Sequence, residues 1–472
     1  MRFLLVILIY SFLLPGCAYY GDIHGHSRKL TLADLNTQRI YLPPKNFSPP
    51  RQYNWWHTFH DAQLDQLIQI ALCDSPDMQI AQARVSRARY LSQEAASFTW
   101  PYINFSGYVQ RQRFAEFGLV PPPFNGKTFN IGTAGLNFNY EFDFWGKNRE
   151  TLRARLNEEC AILAELAQAR LVLSAAVAET YFQLLRNIEQ VRIAQINLDL
   201  TRNIFAISAN LARHGINSQI PVKQNQESIQ TASIILEQYK QAESLSRHQL
   251  AVLLGKNPFT TDMETKKFVY HQYRIKLPIC LTANLLAVRP DVYAAKLRVI
   301  AAAARINVAK AYFFPDINLN AFTTYESIHL NNLFAHENQN NAITGAVDLP
   351  IFDANRRRAN LGEKYAEYDI AVNQYNQTLL KSLQEASDQL AILKSTNIEI
   401  REQNIALQAS RHSDRLFTLQ YNHGITPYLQ VLKSRQTLMQ RQSEQVDMQA
   451  RYLQAMVATL KSFGGNDLMI QG

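Results

Sequence analysis

The alternation of apolar and polar residues in the stretch LNFNYEFDFWGKNRE, residues 136–150, predicts a β-strand that leads directly into a helix. Up to Phe144, every second side chain is apolar or aromatic and those between are polar, which is the period-2 signature of a strand with two different faces. Beyond Trp145 and Gly146, apolar residues recur at the heptad positions Val177, Leu184, Val191, Leu198 and Phe205. No Gly or Pro interrupts residues 147–213, so one long packed helix is predicted there.

The same junction occurs a second time, in the segment GAVDLPIFDANRRR, residues 345–358. It too is followed by apolar residues at steps of three and four, which are Tyr365, Tyr368, Val372, Tyr375 and Leu379. FFPDINL at 313 echoes TWPYINF at 99, and a glycine-containing turn at 421–426 matches RHGIN at 213. Matched landmarks lie about 210 residues apart, which indicates an internal duplication.

Six segments are predicted: a signal peptide (1–16), a lipidated N-terminal tether (17–60), a first repeat (61–255), a linker (256–282), a second repeat (283–463) and a C-terminal tail (464–472). Each repeat holds a helix, two strands and a long helical hairpin, with strands expected at 102–113, 130–144, 316–326 and 341–352. Four strands cannot close a barrel around a lumen, and lipid does not tolerate open sheet edges. We therefore expect the strands of several subunits to be pooled in a symmetric ring. A soluble sandwich is the alternative, but the Asn- and Gln-rich strand faces favour a water-filled lumen.

The N-terminus indicates the compartment. Arg2 precedes the apolar run FLLVILIYSFLLPG, which is typical of a secretory signal. The residues Leu14-Pro15-Gly16-Cys17 resemble a bacterial lipobox, which implies cleavage before Cys17 and lipid attachment to it. Ala18 follows, and the absence of Asp at this place implies the outer membrane. We recognise no later apolar run of transmembrane length.

Charge and cysteine usage exclude several classes of function. The net charge is +9, but the basic residues are spread evenly among acidic and amide residues, as on solvated helix faces rather than a nucleic-acid surface. Cys73, Cys160 and Cys280 are odd in number and match no metal-ligand spacing, so we expect small packed residues. No phosphate loop, zinc motif or nucleophile elbow is present, so neither an enzyme nor a cofactor is expected.

The segment WWHTFHDAQLDQLI, residues 55–68, spans the end of the predicted tether and the start of the first repeat. Trp55 and Trp56 are interpreted as packing residues, and Asp61 as the N-cap of a helix. The spacing of His57 and His60 would suit a metal, but no third ligand is near in sequence, so no metal site is predicted.

Taken together, these motifs resemble the TolC-like outer-membrane factor family, most closely its lipoprotein branch, which serves efflux systems of the resistance-nodulation-division type. The matching residues include the lipobox ending at Cys17, WWHTFHDAQLDQLI, ASFTWPYIN, FDFWGKNR (142–149), RPDV (289–292), FFPDINL, LPIFDANRRR (349–358) and HGITPYLQVL (423–432). The resemblance implies a mixed α/β membrane protein, mostly α. Three subunits would contribute four strands each to a twelve-stranded β-barrel, and their long coiled helices would form a periplasmic α-helical tunnel.

The resemblance also implies roles for particular residues. Leu429 and Lys433 match the constriction at the periplasmic tip, where the family commonly has an acidic residue in place of Lys433; a solvent-facing lysine is the alternative. Gly215 and Gly424, in the two hairpin turns, are expected at the adaptor docking sites or to serve only as turn residues. The expected membrane-interface residues are Trp145, Gly146 and Phe352. Asp143 and Asp353, at equivalent junctions, are predicted to be cap or turn residues rather than an acid–base pair.

The resemblance implies an outer-membrane exit duct of a tripartite efflux pump, a homotrimer that docks on a periplasmic adaptor and an inner-membrane transporter and passively conducts small molecules. One alternative is the outer-membrane channel of a type I protein secretion system. An alternative of another class is a scaffold lipoprotein that spans the periplasm without conducting.

Overall fold

The computed structural model describes residues 23–30, 54–259 and 289–465. Cys17, the rest of the predicted signal peptide and lipobox, Cys280 and most of the predicted linker lie outside the described residues. The chain forms two compact units. The first comprises residues 1–29, 85–162 and 294–376, and the second comprises residues 30–84, 163–293 and 377–472.

The elements repeat in the same order and in nearly the same lengths. Among the described residues, the α-helices are α1 (Ala62–Asp74), α2 (Pro76–Ser97), α3 (Lys147–Arg213), α4 (Ile220–Leu253), α5 (Pro290–Ala311), α6 (Arg356–Asn422) and α7 (Tyr428–Ser462). The strands are β1 (Tyr102–Arg113), β2 (Thr128–Glu141), β3 (Asp316–Ser327) and β4 (Gln339–Asp348). The helices α2 and α5 both have 22 residues, and α3 and α6 both have 67. Such agreement follows from the internal duplication.

Three strands have bounds that differ from the sequence-based prediction. β2 was expected at 130–144, yet it ends at Glu141 because Asp143 turns back to cap the next helix. β4 was expected at 341–352, yet it spans Gln339–Asp348. Pro350 follows shortly after this end, and a proline cannot donate a ladder hydrogen bond. β3 extends through Ser327, one residue beyond the expected end.

The strands form one antiparallel sheet in the order β1-β2-β3-β4, with β1 and β4 at its edges. The register places polar residues in a row across one face and apolar residues in a row across the other. One polar row is Tyr102, Asn139, Asn320 and Thr344, and the neighbouring apolar row is Ile103, Phe138, Ala321 and Ile343. Every residue of β1 is exposed in the single chain. Among the described residues, the β1 part of the apolar face is therefore uncovered, and the outer edges of β1 and β4 have no strand partner.

The heptad pattern predicted for the long helices is confirmed. In α6 the buried positions repeat every seven residues, at Val372, Leu379, Ala386, Leu393, Ile400 and Leu407. In α3 the predicted positions Val177, Leu184 and Leu198 are buried. Close to its C-terminal end the buried stripe moves to Ile204, and the predicted Phe205 is only half-buried.

The helix α3 corrects one sequence-based expectation. It contains an 18-residue window that is apolar enough, by length and composition, to cross a membrane, although no later run of that kind was recognised. The buried part of α3 includes Leu171, Ala175 and Val177, which pack in the helical core of the second unit. We therefore interpret its apolar character as helix packing.

The tryptophan pair belongs to this same core, as predicted. Trp55 and Trp56 are almost fully buried, and the Trp55 indole donates a hydrogen bond to Ser174 Oγ at 3.1 Å. Asp61 caps α1, also as predicted, by accepting the backbone N–H groups of the first turn. Its other carboxylate oxygen accepts the hydroxyl of Tyr181 at 2.8 Å, which ties α1 to α3.

The expectation for two of the cysteines is wrong. Cys73 and Cys160 are free thiols and both are exposed in the single chain, not packed. On α1 the buried stripe ends with Leu72, and Cys73 falls beside it. On α3 the buried alanine Ala161 takes the inward position next to Cys160. The rotation of each helix about its own axis determines whether its cysteine is exposed, and composition does not reveal that rotation.

Candidate functional site

The first strand-to-helix junction is organised by Asp143. Its carboxylate accepts the backbone N–H groups of Asn148 at 3.1 Å and Arg149 at 2.9 Å, in the first turn of α3. These groups have no partner within the helix, and a carboxylate there also interacts favourably with the helix dipole. Gly146 has a positive φ of 80°, which glycine adopts without strain. Asp143 is therefore a cap residue, as predicted.

Aromatic side chains surround this junction. Trp145 stacks on Phe314 with ring centroids 4.5 Å apart and planes 14° apart. The Trp145 indole donates to the carbonyl oxygen of Pro315 at 2.9 Å, and the ring remains partly exposed. Phe142 and Phe144 also stack, at 5.7 Å. An aromatic group with one apolar side and one satisfied polar atom suits the boundary between lipid and water.

Lys147 forms ion pairs with two carboxylates at the same junction. Its ammonium group forms ion pairs with Glu141, at the end of β2, and with Asp316, at the start of β3, the latter at 3.3 Å. Partial burial acts to lower the pKa of Lys147, but the hydrogen bond to Glu141 and the charge of Asp316 outweigh it and raise the pKa. The lysine is therefore a fixed positive charge that links two strand ends to α3.

The second strand-to-helix junction also has an aspartate that caps the helix, but its turn contains no glycine. Asp353 accepts the backbone N–H of Arg357 at 3.2 Å and its guanidinium at 2.6 Å. The chain turns through Ala354 and Asn355, which have positive φ values of 51° and 69°. The hydrogen bond from Arg357 holds the pKa of the Asp353 carboxyl below its usual value. Phe352, a predicted interface residue, is 88% exposed in the single chain.

Both hairpin turns have the same backbone geometry. Gly215 and Gly424 each have a φ of 71°. The N–H of each glycine bonds three residues back, and the N–H of the following isoleucine bonds five residues back, to Leu211 in one turn and to Gln420 in the other. This is the helix-ending pattern that requires a left-handed residue. No atom lies within 4 Å of a Cβ built on either glycine, so φ and not space selects glycine here.

Sequence reasoning missed an apolar residue in each turn. Ile216 and Ile425, directly after the two glycines, are 67% and 73% exposed. Ile220, at the start of α4, is equally exposed. Exposed isoleucines at equivalent positions of two repeats are a surface feature of the turns. The glycine alignment RHGIN with HGIT contained this signal.

The two residues expected at the tip constriction lie one helical turn apart on α7. Leu429 is half-buried, and Lys433 is exposed. Residues at this spacing share a helix face. The buried positions of this turn are Val431 and Leu432 instead. In the part of the chain that the structure describes, Lys433 has no carboxylate partner within 4 Å.

A further missed feature is an N-terminal strap, residues 23–30, which lies along α6. The backbone N–H groups of His26 and Ser27 donate to the Asp369 carboxylate at 2.8–3.0 Å. Asn373 donates to Ser27 Oγ at 2.8 Å, and Ile23 packs in a small apolar cluster of the same unit. The strap lies only a few residues beyond Cys17.

The comparisons with known proteins agree with this architecture. A profile of the family described as outer membrane efflux protein matches residues 67–256 and 281–465. The chain is 30% identical, over 477 residues and 96% of both chains, to the multidrug resistance outer membrane protein MdtQ of Escherichia coli O157:H7. It is 26% identical to MdtP of E. coli K12 over 96% of this chain and 94% of that protein.

Solved structures show the same fold. The outer membrane protein VceC of Vibrio cholerae superposes with a TM-score of 0.78 and 29% identity, covering 87% of this chain and 98% of VceC. The CmeC outer membrane channel of Campylobacter jejuni superposes with a TM-score of 0.80 at 21% identity, covering 91% and 94% of the two chains. The two family matches fall on the two repeats and the fold is that of outer-membrane channels, so this chain belongs to the outer membrane efflux protein family.

Proposed function

We propose that the protein is the passive outer-membrane exit duct of a tripartite efflux pump, and that it works as a homotrimer. The observation that carries this proposal is the four-stranded sheet with one apolar face, one polar face and two unpaired edges. A sheet cannot keep open edges in lipid, so β1 of one copy must pair with β4 of the next. Three copies would supply twelve strands, enough to enclose a water-filled lumen.

The membrane position follows from the junctions. The strands have 10–14 residues, which suits tilted strands that cross a bilayer. Trp145, Phe142 and Phe144 would lie at the periplasmic interface, and Phe352 would lie at the same level in the second repeat. Lipid attached at Cys17 would provide a second anchor, since one acyl chain binds a membrane only weakly. The strap at residues 23–30 supports this arrangement because it fixes the chain just beyond Cys17 to α6.

The hairpin turns are the proposed docking sites for a periplasmic adaptor, which connects the duct to an inner-membrane transporter. Exposed apolar residues, Ile216 and Ile425, follow the glycines of both turns and could be covered by a partner. Leu429 and Lys433 would form the constriction of the closed tip, with an apolar ring and a basic rim. The relatives' names, multidrug resistance outer membrane proteins, support small toxic molecules as the cargo.

Reconstitution of the purified protein in planar bilayers tests this function. A duct gives discrete conductance steps whose size is constant from channel to channel. A scaffold that spans the periplasm without a pore gives none, and that result would contradict the proposal. Cysteines introduced at Gln339 and Arg113, at the facing ends of the two edge strands, should crosslink copies into trimers.

A further inference from the structure

Two arginines end the apolar face of the edge strand β1. Arg111 and Arg113 are an even number of residues from Ile103 and Phe105, and the register of β1 with β2 runs without a bulge. Alternate side chains of a strand point to the same face. Both arginines therefore lie on the face that carries Ile103, Phe105 and Val109, and both are exposed.

The distance along the strand places these arginines at the outer boundary of the membrane. From Tyr102 to Arg111 the strand advances about 30 Å, at about 3.3 Å per residue. With a tilt of about 40° from the membrane normal, the rise is about 23 Å, close to the height of the apolar band of a membrane barrel. Trp100 and Tyr102 lie at the periplasmic end of this span, so the arginines lie at the level of the outer headgroups.

The positively charged side chains at the two ends of the barrel differ in whether they have carboxylate partners. At the periplasmic end three cations have carboxylate partners, in the pairs Lys147–Asp316, Arg149–Asp143 and Arg357–Asp353, whereas Arg356 and Arg358 have none within 4 Å among the described residues. At the extracellular end, neither Arg111 nor Arg113 has an Asp or Glu within 4 Å among the described residues. The Arg113 guanidinium donates to the carbonyl oxygen of Gly126 at 3.3 Å, which leaves most of its donors available.

We propose that Arg111 and Arg113 bind the phosphate of a glycolipid that carries phosphate monoesters in the outer leaflet, with its acyl chains along Val109, Phe105 and Ile103. The proposal rests on the proposed membrane-spanning duct. Guanidinium groups bind phosphate oxygens through paired, charge-assisted hydrogen bonds. A monoester offers three terminal oxygens and up to two charges, which suits two guanidiniums better than the single charge of a phospholipid diester. The adjoining apolar residues Val109, Phe105 and Ile103 favour a ligand that carries acyl chains.

Binding of lipid A to the full-length protein in detergent tests the site, with enzymatically dephosphorylated lipid A and phosphatidylglycerol as the other two probes. We expect the native protein to prefer lipid A over both. The double variant R111Q/R113Q should bind lipid A about 30-fold more weakly, since each basic residue near an anionic lipid surface contributes a factor of about five. The variant R111K/R113K should retain much of the binding, and R356Q/R358Q, which removes two exposed arginines near the periplasmic junction, should retain all of it.

Three outcomes would overturn the proposal. One is equal affinity for phosphorylated and dephosphorylated lipid A, and another is unchanged binding by R111Q/R113Q. The third is that the arginines pair with Glu337, which lies just before β4, in another copy of the chain. E337Q and R111Q/R113Q would then weaken the trimer alike, with lipid binding unaltered. Conductance of the same preparations separates this inference from the function itself. If the protein forms channels but binds phosphorylated and dephosphorylated lipid A equally, only the lipid site is contradicted. If it forms no channels, the proposed duct is contradicted.

Discussion

The guanidinium of Arg289 donates a hydrogen bond of 2.9 Å to the carbonyl oxygen of Ser462, although the two residues are 173 positions apart. Arg289 is 5% exposed and also binds the carboxylates of Asp291 and Glu385, at 2.7 and 2.9 Å. One side chain thus connects the start of α5, the middle of α6 and the end of α7. Burial acts against its charge, but the two carboxylates outweigh burial and raise its pKa, so the charge is permanent.

We expect Arg289→Ala to lower the free energy of unfolding by about 3 kcal/mol or more, because it leaves a buried carbonyl and a carboxylate without their donor. The midpoint of thermal unfolding in detergent measures the change. Glu385→Gln is the control, and since Glu385 is 58% exposed its effect should stay below about 1 kcal/mol. Equal midpoints for Arg289→Ala and Glu385→Gln would show that the network is not important for stability.

Gly424→Ala should destabilise the second hairpin turn by about 1–2 kcal/mol, because alanine is strained at positive φ. The variant Gly215→Ala should behave in the same way, since both turns have the same φ. Gly362→Ala, within α6, is the matched control. No atom lies within 4 Å of a Cβ at Gly362 and its φ is not positive, so alanine should be neutral or stabilise by up to about 1 kcal/mol. Hydrogen exchange at the turn amides provides the measurement, and unchanged exchange in both turn variants would contradict it.

The stabilisation provided by Asp353 should depend on pH. The hydrogen bond from Arg357 holds the pKa of this carboxyl below its ordinary value of 3.8. A depressed folded-state pKa means that the stabilisation is fully present above about pH 5 and is lost as the pH falls through the lowered pKa. Asp353→Asn should therefore be less stable than the native protein at pH 7 and equal to it in strong acid. A difference that persists unchanged at low pH would assign the loss to packing instead.

Charge reversal at the tip, Lys433→Asp, should shift the selectivity of single channels towards cations if Lys433 faces the lumen. Lys240→Asp, on α4, is the matched reversal of an exposed lysine that already pairs with Glu237. Its channels should keep the native selectivity. Single-channel recordings that show no change in conductance or selectivity for Lys433→Asp would place Lys433 outside the conducting path.

Asp369→Asn should loosen the N-terminal strap. The carboxylate accepts the N–H groups of His26 and Ser27, and an amide offers one acceptor oxygen without the charge. We expect faster hydrogen exchange at these two amides. Glu363→Gln, which removes an exposed carboxylate earlier on α6, is the control and should leave the strap unchanged. If these two amides exchange at the native rate in Asp369→Asn, the carboxylate does not hold the strap in place.

The parts of the fold that are encoded locally could be predicted from the sequence. The heptad of α6 and the caps Asp61, Asp143 and Asp353 depend on residues only a few positions apart. The positive φ of Gly146, Gly215 and Gly424 follows from residue type. At the second junction the same backbone conformation falls on Ala354 and Asn355, which no pattern indicates.

Long-range contacts could not be predicted in this way. The partners of Arg289 and Asp369 lie far away in sequence, and the residues that meet are ordinary polar ones. The exposure of Cys73 and Cys160 depends on the rotation of each helix about its axis, which a short apolar stretch does not fix. The strand ends were misplaced because aromatic residues continue past Glu141, although the carboxylate of Asp143 already belongs to the helix.

The unbroken seven-residue spacing of α6, matched by the equal length of α3, limits how such a chain can change in length. An insertion of seven residues lengthens a helix by about 10 Å and keeps its buried stripe nearly in phase. An insertion of a single residue rotates every later side chain by about 100° and exposes the stripe. A longer or shorter duct can therefore arise by whole heptads, and only when the outgoing and returning helices of both repeats change together. The helices of such ducts should therefore differ in length by multiples of seven residues, and the helices of both repeats should change together.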